Sequence, residues 1–110
     1  MFVINGNTVK LTRGNTFEAT VGMVDRDTGE EYTPEAGDVI TFGMKKNADD
    51  ESCIIEKTIP NDTLELILAP EDTESLPVGH YVYDLKLTYA DGTVDTFVNN
   101  ATFILAQNVV

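Results

Sequence analysis

Runs in which every second residue is apolar recur along this chain. Phe17, Ala19, Val21 and Met23 alternate with Glu18, Thr20 and Gly22, which predicts a strand with one buried face. The same period of two puts Ile40, Phe42 and Met44 on one face of a strand over 39–45. Leu64, Leu66 and Leu68 share a face in the next strand, and Cys53-Ile54-Ile55 opens another apolar run. The longest alternation covers 80–89, where Tyr81, Tyr83, Leu85, Leu87 and Tyr89 point one way and Val82, Asp84, Lys86 and Thr88 the other. Two last strands are predicted over 93–98 and 101–106. At the start, Phe2–Ile4 and Thr8–Leu11 flank Asn5-Gly6, a pair that tolerates positive φ and closes hairpins. Those two pieces either pair with each other or form one bulged edge strand.

The connections carry turn chemistry. Asp91-Gly92 predicts a tight hairpin between the last long strands. Pro70-Glu71-Asp72-Thr73 has a proline suited to a first helical position and acids behind it, so a single helical turn is predicted there. Turn signals arrive about every ten residues and no amphipathic helix of useful length can be written onto the pattern. The predicted fold is all-β: an immunoglobulin-like two-sheet antiparallel β-sandwich of about seven to nine strands, in one domain over 1–110. A chain of this length buries roughly 65% of the surface its unfolded form exposes, enough for a core of its own.

Charge narrows the partners. With 19 acidic and 7 basic residues the net charge is -12, a field that repels phosphate backbones and anionic headgroups. Neither a nucleic acid nor a membrane is expected as partner, and no apolar run approaches the ~20 residues that cross a bilayer. Met1-Phe2-Val3-Ile4-Asn5 lacks the basic start and long apolar stretch of a signal peptide. The single cysteine, Cys53, has no intrachain disulfide partner, which suits a reducing compartment. Synthesis in a cytoplasm is the resulting expectation.

Candidate chemistry is sparse. The one histidine, His80, opens the long strand on the side away from the tyrosines, and neither Ser52 nor Ser75 sits in a Gly-x-Ser-x-Gly elbow. His80 is read as a solvated strand residue and Cys53 as a small core filler; one Cys and one His fall short of a zinc site. No catalytic residue and no cofactor is assigned. The metal candidates are Asp25, Asp27 and Glu30, whose carboxylates lie in an oxygen-rich loop of the kind that converges on calcium. The glycine of that loop, Gly29, falls one position early for an EF-hand, and a solvated connection is the preferred reading. Tyr32 is the only tyrosine in a loop, a poor sugar platform by itself. A tyrosine at Tyr81 or Tyr83, just after a tight turn, suits the tyrosine corner of immunoglobulin-like domains. The chargeless C-terminal run Thr102–Val110 is either an inner strand or a contact surface for another subunit.

Several segments together resemble the small immunoglobulin-like domains of tailed-phage and prophage structural proteins, in particular the N-terminal domain of upper baseplate proteins of Gram-positive phages. They are Leu11-Thr12-Arg13-Gly14-Asn15-Thr16, Gly37-Asp38-Val39-Ile40-Thr41-Phe42, Lys45-Lys46, Pro70-Glu71-Asp72-Thr73 with Leu76, Gly79-His80-Tyr81-Val82-Tyr83-Asp84-Leu85, and Asp91-Gly92-Thr93. Asn15 stands where that family often has aspartate. The resemblance implies a non-catalytic virion component, made in the bacterial cytoplasm and carried in a tail or baseplate. Its partners would be other virion or tail proteins or further copies of itself. The alternative expectation is a surface-displayed module that binds carbohydrate or calcium.

Overall fold

Alternation becomes strand wherever one side of the chain finds a shared apolar layer. The computed structural model describes residues 2–4, 8–24 and 27–109, the first three by backbone alone. Its strands are β1 (Phe2–Ile4), β2 (Val9–Thr12), β3 (Phe17–Val21), β4 (Val39–Lys45), β5 (Ile55–Ile59), β6 (Glu65–Leu68), β7 (Gly79–Thr88) and β8 (Val94–Ala106). One helical turn, α1 (Pro70–Thr73), sits between β6 and β7. The strands form a five-stranded sheet in the order β2-β8-β7-β4-β5 and a three-stranded sheet in the order β1-β3-β6.

The inward stripes meet in one core. Phe17, Ala19 and Val21 of the small sheet join Ile40, Phe42, Met44, Tyr81, Tyr83, Leu85, Phe103 and Leu105 of the large one. Phe103 lies at its centre, with ring centroids 5.9 Å from Phe17, 6.4 Å from Phe42 and 6.1 Å from Tyr83. Edge-to-face aromatic packing of this kind adds to the transfer free energy of the rings. Burial also pushes the Tyr83 hydroxyl up to about 12.

The sheets are mixed, which corrects the expected all-antiparallel arrangement. β1 pairs with β3 in parallel, Phe2 opposite Ala19, while β2 pairs with β8 in parallel, Val9 opposite Phe103. The two N-terminal pieces therefore neither form a hairpin with each other nor share one edge, because they belong to different sheets. The Asn5-Gly6 turn itself lies outside the described residues.

Three further differences have local causes. The last two predicted strands are one, β8, carrying two extra residues relative to β7. Tyr83 faces Ala101 and Leu85 faces Val98, so Asn99 and Asn100 both oppose Asp84; a second shift separates Leu85 from Lys86. Asn100 adopts φ 53 and its N–H donates to Asp84 Oδ1 at 2.7 Å. Asparagine accepts that left-handed geometry more readily than most residues, which lets the strand bulge and continue. Leu64 lies before β6 and holds φ 55, fixed by its N–H to Pro60 O at 2.9 Å and by Val21 N–H to its own carbonyl at 2.8 Å. Cys53 lies outside the core: it is half-buried over the outer face of β4, and a Cβ on Gly43 would come within 2.9 Å of its Sγ.

The chain ends are tied by polar contacts. The Arg13 guanidinium donates to Asn108 Oδ1 at 3.2 and 3.1 Å and to Leu76 O at 3.2 Å. Gly14 N–H donates to the fully buried Thr73 Oγ1 at 2.9 Å, which locks α1 against the β2–β3 turn. Asp72 Oδ2 accepts from Ala69 N–H at 2.7 Å, closing the start of α1, and meets Lys57 Nζ at 3.1 Å.

Candidate functional site

β7 divides its residues between core and solvent as the alternation predicts. His80 is exposed, and its carbonyl accepts from Lys46 Nζ at 3.0 Å. Tyr81, buried, bonds its hydroxyl to Pro77 O at 2.5 Å, while Lys46 Nζ lies 4.6 Å from its ring centroid. Of the two tyrosines considered for a backbone-bonding role, Tyr81 therefore makes the upstream bond. Ser52 and Ser75 are exposed in loops, whereas His80 lies in β7.

Two concave regions gather side chains. The first lies on the outer face of the five-stranded sheet and encloses about 280 Å³. Its floor is Gly43, which has no side chain to fill the space, and Lys45, Lys86, Cys53, Glu56 and Val82 surround it. Asp84 also borders this hollow but is committed to the Asn100 backbone. Lys45 is held by its Nζ donating to Asp50 O at 2.8 Å.

The second, about 320 Å³, lies at one end of the sheets and brings Tyr32, Tyr89 and Phe97 together with Asp27 and Asp95. Tyr32 and Tyr89 pack edge to face with centroids 6.1 Å apart. Loop residue Tyr32 thus does not stand alone: the fold supplies Tyr89 from the end of β7 and Phe97 from β8. That grouping was not legible in the sequence, where the three rings are separated by long intervals and Tyr89 reads as the last member of the buried stripe.

Tyr32 is oriented by Asp38. Its hydroxyl donates to Asp38 Oδ2 at 2.6 Å, and Glu35 N–H donates to the same oxygen at 2.9 Å. Asn61 Nδ2 donates to the Asp38 carbonyl at 2.8 Å, so one residue ties the 32–38 loop to the start of β4 and to the β5–β6 turn. The Tyr32 hydroxyl, then the Glu35 N–H, hold the Asp38 carboxyl below its ordinary value, whereas the bond to Asp38 and then burial raise the Tyr32 hydroxyl. A carboxyl lowered in the folded state stabilises the fold above its unfolded value, about 3.9, and that contribution is lost as pH falls through its folded value. The native protein is expected to lose melting temperature on acidification below about pH 4. Asp38→Asn should melt lower at neutral pH and show a shallower loss over the same acidic range, as followed by thermal melts from pH 7 to pH 2.

The calcium candidates do not converge among the described residues. Asp27 borders the aromatic end region, Glu30 is exposed with its N–H on Thr28 Oγ1 at 3.2 Å, and Asp25 lies outside the described residues. The loop closes through a bridge between Val24 and Glu31 and through Tyr32 N–H on Met23 O at 2.9 Å. No group of three or more His, Cys, Asp or Glu side chains able to hold a metal occurs among the described residues. Nor do they include a helix long and apolar enough to cross a membrane. No protein-family model and no curated protein sequence matches the chain.

Proposed function

We propose that this chain is a non-catalytic assembly module, an immunoglobulin-like β-sandwich that takes its place in a phage or prophage tail or baseplate through protein–protein contacts. The observation that carries the reading is the division of the molecule's surface. The apolar stripes of both sheets go into a single core, which leaves the polar side of each sheet for contact. The Tyr81 hydroxyl bond to Pro77 O supports the immunoglobulin-like assignment, because a tyrosine early in a strand that bonds backbone a few residues upstream is characteristic of those domains. It falls in the Gly79–Leu85 segment that carries much of the family resemblance. The strongly acidic surface suits a protein held soluble in the bacterial cytoplasm until it is built into a virion. Immunogold electron microscopy of induced particles from the source strain tests this directly. Gold on tails or baseplates is the expected result; unlabelled particles beside abundant soluble protein would overturn it.

One observation favours a second reading, a ligand-binding module for carbohydrate or calcium. Tyr32, Tyr89 and Phe97 place three aromatic rings beside Asp27 in one hollow, a chemistry that suits a sugar ring or a cation. Titration calorimetry with calcium and with a glycan panel separates the two readings. Saturable heat that is lost in Tyr89→Ala selects the ligand-binding module, and flat titrations select assembly.

A further inference from the structure

The hollow at the end of the sheets is lined largely by the β7–β8 pair. Leu87 faces the core, and Asp95 lies directly opposite it, so both stand on the same side of the sheet. Phe97 is there because of a bulge. Leu85 pairs with Val98 and Lys86 with Thr96, which leaves Phe97 without an opposite number. Under unbroken alternation Phe97 would face away from the side that Val98 occupies. The extra residue re-aims it, and its ring packs half-buried against the core. Met23, Asp27 and Tyr32, from the chain between β3 and β4, join the lining, and Tyr89 joins from the end of β7.

The chemistry gathered there is aromatic and acidic. Tyr32 and Tyr89 cross at 82° with centroids 6.1 Å apart, so their planes meet as two walls of a corner. Phe97 adds a third ring, and all three are half-buried. The exposed Asp27 and Asp95 stand beside them, and among the described residues no lysine, arginine or histidine lines the hollow. Basic side chains lie elsewhere: Arg13 bonds Asn108 and Leu76, Lys57 meets Asp72, and Lys45 and Lys86 border the other hollow.

Negative ring faces beside two carboxylates select a positive ligand. Two carboxylates fall short of the roughly 6–8 oxygens that calcium takes. A sugar calls for several convergent hydrogen-bonding groups, and the Tyr32 hydroxyl already donates to Asp38 Oδ2 at 2.6 Å. A trimethylammonium head needs neither, because its methyl groups carry positive charge onto ring faces without donating a hydrogen bond. The volume of about 320 Å³ fits a ligand of that small size.

We propose that this hollow binds a small organic cation with a trimethylammonium head. Tyr32, Tyr89 and Phe97 contact the methyl groups, and Asp27 and Asp95 supply the opposing charge. The proposal rests on the reading of this hollow as a ligand site and replaces the sugar and the metal ion by this class.

The test is titration of the full chain with choline chloride and with tetramethylammonium chloride at about 0.15 M salt, followed by calorimetry. Saturable binding of both is expected. Choline should bind about tenfold tighter than its neutral isostere, in which carbon replaces the nitrogen. Tyr89→Leu keeps apolar bulk but removes the ring and should weaken choline about tenfold, whereas Tyr89→Phe should bind as the native protein does. Asp95→Asn changes an exposed side chain, should melt with the native protein and should weaken choline severalfold. Phosphatidylcholine vesicles assign the source of the head: choline-binding protein that pellets with them takes it on a lipid, and protein left in the supernatant takes it as a free solute. Absent choline binding, an isostere that binds equally well, or a Tyr89→Leu variant that binds unchanged would overturn the proposal. Calcium or glycan binding without choline binding overturns this proposal alone, and flat titrations with all of them overturn the ligand reading as well.

Discussion

Tyr83→Ala is expected to destabilise the fold by roughly 3–5 kcal/mol, the range of large aromatic truncations in cores. Tyr83 is 1% exposed, on the strand with β4 on one side and β8 on the other. Its ring lies 5.7 Å from Phe42 and 6.1 Å from Phe103, and Phe103 is in turn the ring that reaches Phe17 of the other sheet. Truncation removes the transfer free energy of the ring and leaves a void bounded by β-sheet backbone that has little freedom to collapse. Domains of this size hold about 5–15 kcal/mol in total, so the variant should populate unfolded chain at modest urea concentrations. Urea melts at unchanged slope measure the loss. A change below about 1 kcal/mol would mean that the inward face of β7 is not the packed face.

Arg13→Ala should cost about 2 kcal/mol through a different mechanism. The guanidinium donates three hydrogen bonds, two to Asn108 Oδ1 and one to Leu76 O, across a partly buried junction. Arg13 N–H also donates to Ala106 O at 3.0 Å, extending the β2–β8 pairing by one step. The side chain thereby pins three distant segments: the end of β2, the connection after α1 and the stretch following β8. Hydrogen bonds from a charged donor carry more than neutral ones, and removing the donor leaves the Leu76 carbonyl to be satisfied by water. Deleting residues 107–110 removes the Asn108 acceptor, keeps the Arg13 bond to Leu76 O and should cost about half as much. If both changes leave urea melts unmoved, the arginine clamp has no energetic role.

Much of the architecture was legible because burial imposes a period on the sequence. The stripes Phe17-Ala19-Val21-Met23, Ile40-Phe42-Met44 and Tyr81-Tyr83-Leu85-Leu87 are all buried, and the helical turn falls at Pro70 as its proline and acids predict. What the period does not encode is neighbourhood. Alternation in β2 says that Val9 and Leu11 face the core, yet nothing local says that they lie parallel to Phe103 and Leu105 at the far end of the chain. The bulges show the same limit. Val98 and Phe103, both buried, are five positions apart, an odd spacing that breaks the period of two and made one strand read as two. The Asn99-Asn100 pair was the available signal for the irregularity. Cys53 misled for a related reason: its apolar neighbours suggested the core, but the space it occupies is created on the outside by Gly43, one strand away.

The same pairing bears on function. The C-terminal run Thr102–Val110 reads equally as inner strand or contact surface in the sequence; the fold sets Phe103–Leu105 between β2 and β7, whereas Gln107 and Val109 are exposed. The backbone groups of Phe103–Leu105 are thereby paired within the molecule. β5, at one edge of the large sheet, is short, carries Lys57 at its centre and is followed by Pro60, features that discourage strand addition there.

Native-state amide hydrogen exchange tests the central claim most directly, since a strand hydrogen-bonded on both sides opens only with the whole domain. The amides of Phe103, Ile104 and Leu105 should exchange as slowly as the slowest in β4 and β7, and markedly more slowly than those of Val94 to Thr96. Exchange at Phe103 to Leu105 as fast as that of a frayed terminus would contradict the buried position of the last strand, and with it the assignment of the exposed faces as the working surfaces.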